Sequence, residues 1–208
     1  MTPLDIHGVV RALAQGTGRG PSVPPEGERY AAVAIVLRAA DSGVEVLLIL
    51  RAKNDRDPWS GHMAFPGGRH DESDVDLLHT ATRETLEEVG VDLARVGTLV
   101  GRLDDLPAIA RGRRAGITIA PFVFTVSEDP PLSPNHEVEE ALWVPLDSLA
   151  SGETATTVRY RMEGTDLDLP GWDVGGRIVW GLTYRMLQTL FERLGLTGSR
   201  LPADRTSG

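Results

Sequence analysis

The stretch FPGGRHDESDVDLLHTATRETLEEVGV, residues 65–91, decides how the rest of the chain is read. A glycine turn gives way to an acidic segment whose charges recur at helical spacing, so a loop followed by a helix is expected. Asp71, Ser73 and Asp74 can each cap the first turn. Leu77, Leu78 and Ala81 begin an apolar stripe, and Gly90 after Val89 supplies a left-handed stop. On that helix Glu84 and Glu88 stand at i, i+4 with Glu87 at i+3, which crowds three carboxylates onto one side. Arg83 is the sole Lys or Arg between Asp71 and Val91. Carboxylates gathered in this way repel one another unless a cation joins them. Oxygen-rich sites suit hard divalent ions, and Mg²⁺ binds through a few carboxylates while keeping waters and phosphate oxygens. An acidic face turned to solvent is the plainer alternative.

The order of residues favours the metal. The run Arg83-Glu84-x-x-Glu87-Glu88-x-Gly90-Val91, preceded by Phe65-Pro66-Gly67-Gly68, resembles the signature of the Nudix hydrolases: a glycine, a spaced glutamate, then R-E-U-x-E-E-x-G-U. At about one in fifteen per specified residue, five fixed identities recur by chance roughly once in 10⁶ positions. The loop half departs from the pattern. Family spacing puts a glycine fourteen residues before the arginine and a glutamate eight before it, where this chain has Arg69 and Val75. Gly68 comes one residue early, and Asp74 and Asp76 are the acids nearest the absent glutamate. Thr85 also stands where an aliphatic residue is usual.

Composition narrows the partners. The chain has 208 residues, enough for one domain with additions, and a net charge of −9. That balance argues against nonspecific nucleic-acid binding and against an anionic membrane surface. A phosphate-bearing small molecule remains open, because a bound metal inverts the local field. The absence of cysteine excludes disulfides, zinc–thiolate sites and thiol catalysis. With no apolar run of membrane-span length and no hydrophobic signal core in residues 1–20, a cytoplasmic protein is expected.

Upstream of the glycine turn, Ile6, Val9, Val10 and Leu13 share one side of a short helix, and a Gly/Pro-rich linker or strap follows. Residues 30–38 and 44–51 are β-rich runs that read as neighbouring strands. The second ends in RAKNDRDPWSG, in which Arg51 and Arg56 are candidates for clamping substrate phosphate; salt bridging to Asp55 or Asp57 is the alternative. Downstream, residues 96–103 and 116–126 read as strands joined through a basic loop carrying Arg111, Arg113 and Arg114. A short strand is expected over 141–144, a helical turn from Asp147, and a hairpin over 156–169 turning at Glu163-Gly164. Residues 177–194, with Ile178, Leu182, Met186, Leu187, Leu190, Phe191 and Leu194 at threes and fours, read as an amphipathic helix packed into the core.

These elements suggest an α+β fold, which the resemblance sharpens to a Nudix-type α/β/α sandwich with a mixed sheet between helices. The expected division is an N-terminal helix and linker over 1–29, the Nudix domain over 30–195 and a flexible tail over 196–208. In the family a glutamate from a remote loop commonly completes the metal site. Of the acids Glu137, Glu139 and Glu140, Glu137 is the first choice and Glu139 the second; the alternative is that all three face solvent. The resemblance implies metal-assisted hydrolysis of a phosphoanhydride. Glu84, Glu87, Glu88 and Glu137 would hold Mg²⁺ (or Mn²⁺), and one of them would act as general base. Arg83 would orient the glutamates, and Gly67 and Gly68 would let backbone approach the metal site.

The stretch LLILRAKNDRDPWSGHMAFPGG is similar to a second signature, that of coenzyme A pyrophosphatases, through Leu47, Leu48, Arg51, Ala52, Arg56 and Phe65-Pro66-Gly67-Gly68. Ile49 replaces its threonine, and Gly61 comes one residue late. Coenzyme A or acyl-CoA is therefore the leading substrate, giving 3′,5′-ADP and (acyl-)4′-phosphopantetheine. Nucleoside diphosphate sugars or ADP-ribose come second, and a catalytically silent module that binds a nucleotide or protein partner is the alternative of another class. Dimerisation is common in such enzymes, and a homodimer is compatible with this sequence, which marks no interface for it.

Overall fold

A computed structural model describes residues 4–14, 18–54, 60–110, 113–127, 129–162 and 165–196. The chain opens on helix α1 (Ile6–Ala14), which buries Val9 and Leu13. Strands β1 (Tyr30–Ala40) and β2 (Gly43–Arg51) then pair antiparallel around a tight turn. Two short strands flank Phe65-Pro66: β3 (Met63–Ala64) on β2 and β4 (Gly67–Arg69) on β1. Helix α2 (Leu77–Val89) follows, then a single turn α3 (Leu93–Val96).

β5 (Gly97–Arg102) and β6 (Leu106–Ala110) both pair antiparallel with the long β7 (Arg113–Val126), which lies parallel to β1 at the centre of the sheet. β8 (Val138–Pro145) returns along β2 and ends in the short helix α4 (Leu146–Ala150). A separate three-stranded antiparallel sheet comprises β9 (Ala155–Met162), β10 (Thr165–Val174) and β11 (Arg177–Trp180), and helix α5 (Gly181–Arg193) closes the described chain.

The alternation of β1 explains the layers. Ala31, Ile35 and Leu37 face a core shared with α1, α4 and α5, whereas Tyr30, Ala32, Ala34 and Val36 face a second core under α2 and α3. β7 divides likewise, sending Ile117, Ile119 and Val123 to the first core and Ala120, Phe122 and Phe124 to the second. A strand buried on both faces reads as a continuous apolar run, as YAAVAIVL does. The result is the expected mixed sheet between helices. Among the described residues, no helix is long and apolar enough to cross a membrane.

Several boundaries differ from the sequence reading. Residues 177–180 form a strand, because they pair with 171–174 of β10; Gly181, at φ 65°, then turns the chain into α5. The helical period therefore begins at Leu182 and does not include Ile178. Arg113 and Arg114 belong to β7, where they pair with Ala110 and Ile109. Arg111, the hairpin tip 163–164 and residues 197–208 of the expected tail lie outside the described residues. The linker is a strap: Gly18 N–H donates to Arg102 O at 2.7 Å and Leu77 N–H to Ser22 O at 2.9 Å. Although the sequence sets α1 apart from the domain, Val9 and Leu13 sit in the same core as Ile35, Leu103 and Leu187.

Candidate active site

The site is built where α2, on one face of the sheet, meets the glycine strand β4. The N-cap of α2 is Asp76, whose carboxylate accepts from His79 N–H at 2.7 Å, and Gly90 at φ 75° ends the helix. The acids proposed as caps are used otherwise. Asp71 forms a local turn with Ser73. Asp74 is buried and accepts from Arg83 Nε and Nη2, from the Thr80 hydroxyl and from Asp71 N–H. The Arg83 guanidinium, foremost, holds the Asp74 carboxyl far below the usual carboxylate range. Gly68 to Asp74 is the six-residue interval that the signature places between its glycine and its glutamate. The extra residue therefore lies between Asp74 and Arg83, and an aspartate stands in the glutamate's place.

With the Nε–Nη2 edge of its guanidinium fixed on Asp74, Arg83 turns Nη1 to Glu84 at 3.0 Å and Glu87 at 3.2 Å. Glu88 is 2% exposed; it accepts from Gly67 N–H at 2.8 Å and lies 3.6 Å from Arg51 Nη1. Burial pushes its carboxyl up to about 7, against the pull of the Gly67 N–H and Arg51, and the charges of Glu84 and Glu137 add to the rise. Burial also raises Glu84, opposed by Arg83 and reinforced by Glu87 and Glu137. The glycines have a steric reason. A Cβ on Gly68 would overlap the Glu84 carboxylate, and one on Gly67, at φ 152°, would overlap the backbone of Ala32 and Val33. Buried Thr85 fits the helix because its hydroxyl donates to Ala81 O at 2.7 Å.

Glu137 reaches the same place from a loop that is tied twice. Asn135 N–H and Ser133 N–H donate to the last carbonyls of α2, at Glu88 and Val89, and Ala52 N–H donates to Glu137 O at 2.8 Å. The three other acids separate: Glu139 is exposed, Glu140 is bound by Arg177 Nε and Nη2 at 2.6 and 2.8 Å, and Glu87 lies more than half exposed beside Arg83. Glu84, Glu88, Glu137, Arg51, Gly67 and Gly68 thus line one cleft of about 1070 Å³, and Glu87 does not line it. Arg56 lies outside the described residues. Sequence reasoning missed Asp74 as the partner of Arg83, for which the six-residue interval was the available signal. It also missed Trp180 and His62 in the cleft wall, for which there was none.

Among the described residues, no three His, Cys, Asp or Glu side chains already converge tightly enough to enclose an ion. The donor chemistry nevertheless fits a hard divalent cation. The cleft's acids are oxygen donors only, and two of them, Glu84 and Glu88, are raised by burial and by the charge of neighbouring glutamates, as expected of carboxylates short of positive charge.

A mixed sheet sandwiched by helices, with a glutamate helix locked to a Gly-Gly strand, defines the Nudix architecture. The family model described as NUDIX domain matches residues 28–162, and the chain belongs to the Nudix family. An uncharacterized protein of Schizosaccharomyces pombe is 41% identical over 117 residues, 55% of this chain, and the match spans only 36% of that relative's length. A protein of Pectobacterium atrosepticum named "Uncharacterized Nudix hydrolase NudL" is 30% identical over 174 residues, covering 80% of this chain and 83% of that one. Among solved structures, a MutT/nudix family protein from Enterococcus faecalis superposes with a TM-score of 0.53 at 16% identity, over 92% of this chain and 70% of that one, a likeness of fold.

Proposed function

We propose that the chain is a divalent-metal-dependent hydrolase that breaks the pyrophosphate bridge of a nucleoside diphosphate joined to a second group, with cytoplasmic coenzyme A or acyl-CoA as its substrate. The observation that carries this reading is the gathering of Glu84, Glu88 and Glu137 in one cleft with Arg51, two of the carboxylates raised in pKa by burial and by shared charge. Mg²⁺ or Mn²⁺, held by these glutamates, would supply charge neutralisation and a more acidic water.

The protein's own part is positional. Gly67 N–H fixes the Glu88 carboxylate, and Arg83, anchored on Asp74, fixes Glu84. Glu137, more than half exposed, has room to serve as a ligand or to take the proton of the attacking water. Arg51 stands beside Glu88 at the end of β2, where a phosphate oxygen could meet it. As water oxygen bonds to one phosphorus, the bridging P–O bond breaks and the second phosphate leaves with the bridging oxygen. The coenzyme A assignment is supported by Arg51, Ala52, Phe65, Gly67 and Gly68, motif residues from the end of β2 and from the segment leading into β4, which line the cleft together.

The test is release of 3′,5′-ADP from coenzyme A in the presence of Mg²⁺ or Mn²⁺. Activity abolished by Glu88→Gln, with the fold retained, supports the reading. Cleavage of ADP-ribose or a sugar nucleotide in place of coenzyme A moves the substrate and keeps the reaction. Binding without turnover of any diphosphate would make the chain a silent module and overturn the proposal.

A further inference from the structure

Among the described residues, two aromatic groupings are built differently. Trp172 lies 4.3 Å from Tyr184 and 5.7 Å from Phe191, centroid to centroid, and is 3% exposed; it is part of the core beneath α5. Trp180 lies 4.7 Å from His62, tilted by 54°, and 5.3 Å from Tyr160, yet all three rings are only half-buried. Trp180 and His62 line the same cleft as Glu84, Glu88 and Glu137. A tryptophan needed only for packing would be covered as Trp172 is, and one left over at the surface would not border the cleft that holds the carboxylates.

Its setting ties it to the carboxylates. Arg51 N–H donates to His62 O at 3.1 Å, so the residue carrying the Trp180 contact is backbone-paired with the residue whose guanidinium reaches Glu88. The second sheet holds the platform from behind. Trp180 pairs with Gly171 at the end of β11, Tyr160 comes from β9, and Arg177, three residues before Trp180, is clamped on Glu140 of β8. On β9 and β10 the partners Arg159 with Asp168 and Arg161 with Asp166 lie on one face, while Tyr160 and its partner Leu167, half-buried or intermediate, lie on the other.

We propose that Trp180, with His62 beside it and Tyr160 behind it, is the subsite for the planar heterocycle of the nucleotide, and that the three-stranded sheet exists in this chain to present it. This rests on the reading of the cleft as a nucleoside diphosphate site. A purine offers a flat π surface to an aromatic face, and such stacking tolerates any base, so the subsite grips the nucleotide end while the rest of the cleft selects the other group.

The test is equilibrium binding of ADP and of inorganic pyrophosphate to the full chain by calorimetry with Mg²⁺ present, alongside hydrolysis of the nucleoside diphosphate substrate. Trp180→Ala should weaken ADP about tenfold and leave pyrophosphate within about twofold, while Trp180→Phe restores most of the ADP affinity. In hydrolysis the loss should fall on KM with kcat nearly kept. His62→Ala, a milder change on a loop, provides the same comparison should Trp180→Ala fail to fold, with an expected loss of about threefold. Unchanged ADP affinity in the folded variants overturns the subsite and leaves the hydrolase reading standing. Trp180-dependent ADP binding in a chain that cleaves no diphosphate supports the subsite and overturns the hydrolase reading.

Discussion

Arg83 donates two hydrogen bonds to Asp74, from Nε at 2.8 Å and from Nη2 at 2.9 Å, and the side chain that receives them has no exposed surface. The same guanidinium holds Glu84 and Glu87, so one buried aspartate sets the posture of two glutamates. Removing it by Asp74→Ala leaves a partly buried cation without its main partner, at an expected cost of roughly 3 kcal/mol in urea unfolding. Activity should fall roughly 10- to 100-fold through loss of glutamate positioning. The pH dependence has a sign. The folded carboxyl is depressed, so its stabilisation is complete above the unfolded value of about 4 and fades as pH falls toward the folded one. The stability gap between wild type and variant should therefore be full at pH 7 and shrink below about pH 4.

Glu88 behaves in the opposite sense. Its folded pKa is raised to about 7, so ionising it costs stability: the cost is absent below the unfolded value of about 4 and complete above about pH 7. In the presence of a chelator, Glu88→Gln should raise stability at pH 8 by an amount on the order of 3 kcal/mol, less what Arg51 loses with its partner, and by little at pH 4. Adding Mg²⁺ should stabilise the wild type and not the variant. Thermal melts across pH with and without chelator check this, and equal wild-type and variant curves would remove the claim that the site stores uncompensated charge.

The two glycines of β4 should separate fold from function. Gly67→Ala drives a Cβ into the backbone of β1 at a left-handed φ, where nothing can yield cheaply, and should cost about 2–3 kcal/mol. Gly68→Ala first meets the end of the Glu84 side chain, which can swing away. Its stability should change by less than about 1 kcal/mol while hydrolysis falls at least tenfold through displacement of that carboxylate. Urea titration and activity measured on the two variants together decide the point.

What the sequence made legible was whatever a local period or an exact spacing encodes. The α2 glutamates, the Gly90 stop and the β1–β2 hairpin all depend on residues within a few positions of each other. Arg177–Trp180 were misread because Ile178 stands four residues before Leu182 and extends the helical stripe of α5 by accident, although pairing with β10 and the turn at Gly181 make it a strand. Asp74 was hidden because its partner lies one residue out of the family register. Glu137 was legible as a candidate, but what sets Glu140 apart from it is Arg177, thirty-seven residues beyond Glu140. Contacts of that range leave no periodic trace.

Helix α1 gives the strongest case of such a contact. Nine residues cannot hold a helix alone in water, so its order comes from the surface it covers. Val9 is fully buried and Leu13 is 2% exposed, in a core that also contains Ile35, Leu103 and Leu187. Leu13→Ala should cost about 2–4 kcal/mol, the range for a buried leucine whose site cannot fully collapse. Deleting residues 1–17 should cost more, because it removes Val9 together with Leu13 and uncovers that side of the sheet. Ile6, which is only partly buried against the same core, should cost less on replacement by alanine. Urea unfolding of the three variants orders them. A Leu13→Ala midpoint indistinguishable from wild type would mean that α1 is an appendage and not a wall of the core.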